Sequence, residues 1–139
     1  MDPLIPLLVL AGVATAALGC VHLVIPRLMD IEAAVPLDGP PLRTLPLVGS
    51  RYATRRQDVR GIVWVSNNAA SYVLLTLGLA DIASAAWLGT DAGRLLALWA
   101  AGWWGVRSAS QLAFGHRSGD LILVAVFAGL ALLHLLAAA

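Results

Sequence analysis

Four apolar stretches, each about as long as a helix needs to cross a bilayer, constrain this chain more than any other feature. They run roughly over Leu4–Pro26, Gly61–Ala80, Leu95–Phe114 and Leu121–Ala139, and nearly every charge lies in the connectors between them. Of the 139 residues, 60% are hydrophobic and 12% are charged, about half the charged share of a soluble domain. The pattern predicts an all-α fold, a four-helix transmembrane bundle. It forms a single integral membrane domain over residues 1–139, with no length left for a soluble one.

The charges predict the orientation. The nine basic residues are all arginines. Arg27, Arg43, Arg51, Arg55, Arg56 and Arg60 lie in or border the first connector, residues 27–60; Arg117 lies in the third, and Arg94 borders the second. Because positive residues mark the cytoplasmic side, the first and third connectors are expected inside. Both termini and the Trp87–Gly93 connector are then outside. The expected location is the cell membrane, multi-pass, of the bacterial inner-membrane type. Met1-Asp2-Pro3 lacks the basic start of a secretion signal, and the apolar run continues past Cys20 to Pro26. The first stretch therefore reads as a retained span. Cys20 is the only cysteine, which excludes an intramolecular disulfide and a cysteine-based metal site; it reads as a small packing residue. The run Arg55-Arg56-Gln57-Asp58-Val59-Arg60 reads as a topology anchor attracted to anionic lipid. Nothing calls for a nucleic-acid partner.

Local signals divide the connectors. Pro26 is expected to end the first span. Leu28–Ile31 suits a helical turn at the interface. Pro36, Pro40, Pro41 and Pro46, with Gly39 and Gly49, predict extended or turn segments after it. Thr90 or Asp91 is expected to cap the third span and Ser118 the fourth, with a tight turn over Gly115–Gly119. Gly12, Gly19, Gly102 and Gly105 permit close helix approach, within or between protomers.

The polar residues inside the spans carry the functional information. Arg60, Trp64, Asn67 and Ser71 share one face of span two, flanked by Asn68 and Tyr72. Span three places Trp99, Trp103, Arg107 and Ser110 at similar spacing, with Gln111 beside them. Span one aligns Thr15, Gly19 and His22, and span four is apolar except for His134 near its outer end. At about 1.5 Å per residue, Asn67 and Arg107 lie roughly 10 Å inside the cytoplasmic boundary, and His22 lies about a turn from it. Three helices thus bring polar groups to one layer. A charged residue in a span costs about 2.5–3.5 kcal/mol or more unless it snorkels, pairs or faces water. Two readings of Arg107 follow: it reaches Asp58 or Asp120, or it faces the interior and binds an anion. Asn67 and Asn68 either glue helices together or line a cavity. His22 is either a proton carrier or a neutral imidazole with a local partner. No HExxH, CxxC or carboxylate-rich span exists, so metalloprotease and di-iron chemistry are excluded, and no metal or cofactor is expected.

The layout resembles the DoxX-like group of small bacterial four-helix membrane proteins. The points of contact are Gly19-Cys20-Val21-His22…Pro26-Arg27-Leu28, the long basic first connector, and Arg56-Gln57-Asp58…Gly61 at the start of span two. The resemblance implies an accessory subunit or small-molecule handler of a respiratory or redox membrane. It supplies no catalytic residue.

Two functions fit these residues. In the first, the polar layer near the cytoplasmic side binds an anionic amphiphile, a lipophilic small molecule or a partner membrane subunit, with membrane lipid and a second copy of the chain as further partners. In the second, the chain is a membrane-embedded enzyme of isomerase or cyclase type acting on an isoprenoid, quinone or sterol-like compound. His22, Asn67, Asn68 and Arg107 would then be the catalytic set. Arg60, Trp64, Ser71, Tyr72, Trp103 and Gln111 would line the substrate site.

Overall fold

Long uninterrupted apolar segments without internal turn signals become helices, and the computed structural model is mostly helical. It describes residues 2–40, 42–47, 50–114 and 117–139, with side chains outside 43–47 and 50–52. The elements are α1 (Leu4–Leu28), α2 (Ile31–Ala34), β1 (Arg43–Leu47), β2 (Ser50–Thr54), α3 (Arg56–Ile82), α4 (Ser84–Trp87), α5 (Asp91–Gln111) and α6 (Ser118–Ala137). Expectations at Pro41, Gly49, Gly115 and His116 lie outside the described residues.

Among the described residues, α1, α3 and α6 are long and apolar enough to cross a membrane. The sequence predicted a fourth span over Leu95–Phe114. Its counterpart α5 has the length, 21 residues. However, Asp91, Arg94, Arg107 and Gln111 lie within it, and they lower its apolar character below that of the other three.

Many large apolar side chains face outward while several polar ones are buried. Leu28 is 74% exposed, Val65 70% and Leu95 69%. Of the eight largest fully buried side chains described, four are polar: His134, Asp81, Ser71 and Ser84. In water this arrangement would expose large apolar surface while desolvating charge. In hydrocarbon it is the favourable arrangement, since apolar faces meet lipid and polar groups find one another.

Two compact units make up the chain, one of Met1–Ala14 with Leu77–Ala139, the other of Thr15–Thr76. In the first, α5 and α6 pack antiparallel. Gln111 meets Asp120, Ser108 Oγ donates to Val124 O, and Trp104 stacks on Phe127. These pairs fall on one register, which carried further brings Ala97 level with His134. Thr90 caps α5 as expected, its Oγ1 accepting from the Gly93 N–H at 2.9 Å. The α6 start departs from expectation. Ser118 is its first residue, and the Asp120 carboxylate reaches back to the Arg117 N–H at 3.3 Å. A carboxylate in the first turn also suits the helix dipole. Gly12 lets α1 press on α3, since a Cβ there would lie 2.6 Å from the Gly78 carbonyl oxygen. Gly102 and Gly105 have nothing within 4 Å of such a Cβ and face outward.

In the second unit, α1 does not stop at Pro26 but runs on to Leu28. Gly19 sits against Leu74 and Leu75 of α3. The helical turn expected over Leu28–Ile31 forms later in the chain, as α2 over Ile31–Ala34, opened by Asp30 in the left-handed region (φ 46°) with its carboxylate accepting from Ala33 N–H at 3.3 Å. Aspartate tolerates that conformation better than most residues. The connector then forms an antiparallel hairpin, β1 with β2, in the register Arg43↔Thr54 through Leu47↔Ser50. That hairpin is an addition to the all-helical expectation. Cys20 is exposed rather than packed.

Candidate functional site

The second unit holds seven of the ten predicted site residues, and Pro26 explains the arrangement of several. Proline has no N–H to offer the carbonyl four residues earlier in its helix. In α1 that carbonyl belongs to His22. Asn67 Nδ2 donates to His22 O at 2.6 Å, so an amide from α3 fills the bond that Pro26 leaves empty. A neighbouring helix satisfying a proline-freed carbonyl is how such prolines are tolerated in spans. Ser71, fully buried, donates from Oγ to Asn67 O at 2.8 Å, which braces the turn that carries the amide. Asn68 and Tyr72 are exposed, Tyr72 by 69%, and point away from this bonded face.

Arg60 is engaged with backbone as well. Its Nε donates to Val35 O at 3.0 Å and its Nη2 to Glu32 O at 2.8 Å. These are the carbonyls at the end of α2, where a cation also meets the negative end of the helix. Arg60 therefore ties α2 to the start of α3.

Sequence reasoning missed Arg27. Its guanidinium carbon lies 5.6 Å from the centroid of the Trp64 ring, within cation–π range. Arg27 makes no ion pair among the described residues. Beside it opens a cavity of about 280 Å³ lined by Pro26, Arg27, Asp30, Ile31, Glu32 and Trp64. A second cavity of about 320 Å³ is bordered by Arg55, Arg56, Gln57, Leu37, Gly39 and Pro40. The signal for Arg27 was its place just past the end of the apolar run, level with Trp64 at the start of the next span.

The first unit holds Trp103, Arg107 and Gln111. Arg107 lies over the Phe127 ring at 5.6 Å. Both carboxylates suggested for it have other partners. Asp120 accepts from Arg117 Nε at 3.0 Å and from Gln111 Nε2 at 3.4 Å. Asp58 accepts from Arg55 at its backbone N–H and its guanidinium. Trp103 is half-buried, and its indole N–H has no hydrogen-bond partner among the described residues.

A second feature missed from sequence is the contact between Asp81 and His134. Asp81 is on the last turns of α3, one residue beyond the expected end of the span. His134 was noted without a partner. Its Nε2 lies 3.1 and 3.2 Å from the two Asp81 oxygens, and both side chains are 1% exposed. Asp81 stands near the C-terminal end of α3 and His134 near that of α6, and matching positions along those two parallel apolar runs would have paired them.

Comparison of the chain with protein families, curated proteins and solved structures finds no match to any of them.

Proposed function

We propose that this is a multi-pass membrane protein that binds an anionic amphiphile where α1 ends and α3 begins. In this reading α5 is the fourth span, both termini are outside, and the bilayer is a bacterial inner membrane. The resemblance to the DoxX-like group belongs to the same proposal.

The observation that carries it is the Arg27 guanidinium over Trp64 beside the 280 Å³ cavity. The headgroup anion sits against the Arg27 guanidinium, the cation of a lining that also includes Asp30 and Glu32. The tail lies along the exposed apolar residues of the same helix end, Val24 and Leu28. Indole and guanidinium together suit the headgroup level of a bilayer. The enzyme alternative has less support, because Asn67, its group for polarising a carbonyl, is engaged on His22 O.

The test is lipid retention. The chain is purified from bilayers of mixed anionic and zwitterionic lipid, and bound lipid is counted by native mass spectrometry. Arg27→Gln is expected to lose anionic lipid several-fold while zwitterionic lipid is retained. Equal retention by the variant and the parent chain would overturn the proposal.

A further inference from the structure

The Asp81–His134 contact has a proton count that follows from geometry. His134 Nδ1 lies 2.8 Å from Leu130 O. A carbonyl only accepts, so Nδ1 bears a hydrogen. Nε2 then faces both carboxylate oxygens, and a bond there also needs a hydrogen, carried either by the ring or by the acid. The pair is imidazolium with carboxylate, or imidazole with carboxylic acid. Either way it is neutral overall and holds one proton between Nε2 and Asp81. Both ring nitrogens are used, so none is left to take a proton from a substrate.

The surroundings enclose the pair. Gly12 brings the α1 backbone close enough that a Cβ there would lie 2.8 Å from Asp81 Cβ. Leu8 and Leu77 are buried in the same unit, as is Ala97 of α5. The α1 segment in this unit and α4 carry no charged residue among those described. On α5, Asp91 and Arg94 border a cavity with Ala137–Ala139, about a turn beyond His134, and Arg107 lies over Phe127. On α6, Asp120 is bonded to Arg117.

We propose that Asp81 and His134 form a binding site for a single exchangeable proton inside the helical interior, and that α6 must part from α3 for that proton to reach water. Adding a proton or removing the shared one leaves a net charge in a dry site, so the helix contact closes around one protonation state. The proposal is independent of the lipid site.

The experiment uses the full chain with ¹⁵N-labelled histidine in lipid nanodiscs, the His134 signals being assigned with His134→Gln. Between about pH 5 and 9, where histidine ordinarily titrates, both His134 nitrogens are expected to hold one pattern. In Asp81→Asn, Nε2 is expected to read as a bare acceptor throughout. A His134 that titrates near the ordinary value of about 6.5 in both proteins overturns the proposal. Unfolding in detergent keeps the test decisive if Asp81→Asn does not fold. Asp81→Leu and His134→Leu are each expected to shift the unfolding equilibrium by roughly a hundredfold or more, and the double variant to recover most of that. Simple addition of the two losses would equally overturn it. Neither measurement depends on lipid retention, so its failure is distinguishable from that of the amphiphile proposal.

Discussion

The two units use buried polarity differently. In Thr15–Thr76, polar side chains repair backbone. Asn67 serves His22 O, Arg60 serves Val35 O and Glu32 O, and Ser71 serves Asn67 O. In the unit containing Leu77–Ala139, Ser108 and His134 also reach carbonyls, and buried polar side chains in addition meet one another: Asp81 with His134, and Asp120 with Gln111 and Arg117. The difference teaches how to read a polar residue in an apolar helix. The Asn67 bond to His22 O is accounted for by Pro26, which freed that carbonyl. A buried acid bonded to a buried base has no such cause, and the two share one proton in their contact.

The contrast is breakable, beginning with its largest expected effect. Asp81→Ala strands His134 in a dry site and is expected to cost about 3–5 kcal/mol, read by detergent-induced unfolding. Gly12→Val drives a side chain into the Gly78 carbonyl and Asp81 and is expected to cost about 1–3 kcal/mol, with the loss of slow hydrogen exchange near Asp81. Asn67→Ala is expected to cost about 1–2 kcal/mol by removing its amide from His22 O. Adding Pro26→Ala restores an N–H at residue 26 and is expected to recover much of that loss in a double-mutant cycle. Absence of coupling between the two sites would break the repair reading. Arg60→Met is expected to cost about 1 kcal/mol or less, its two backbone bonds being at a partly exposed site.

Much of the helical fold was legible, because a long apolar run admits few other structures. The details lost from view share a physical cause. Pro26 signals a helix end only if its lost bond stays unmade; Asn67, far along the chain, makes it, so α1 continues. Asp81 fell one residue beyond the expected Ala80 boundary, and hydropathy treats a charge as a reason to end a span, whereas His134 makes its burial tolerable. The connector's prolines and glycines pointed to turns. Yet β1 and β2 pair around two intervening residues, with Pro46 in the first strand, and pairing between strands is invisible to a reading of single segments. Of the predicted site, the shared face of Arg60, Trp64, Asn67 and Ser71 was legible from helical spacing. Their roles were not, since each depends on which atom of another segment lies opposite.

The Pro26 carbonyl gap also bears on biogenesis. During synthesis α1 leaves the ribosome well before Asn67 exists, so the newly made helix lacks the amide that meets His22 O in the folded chain. In hydrocarbon that acceptor has no water to turn to. The bonding of α1 is therefore completed only once α3 has been made.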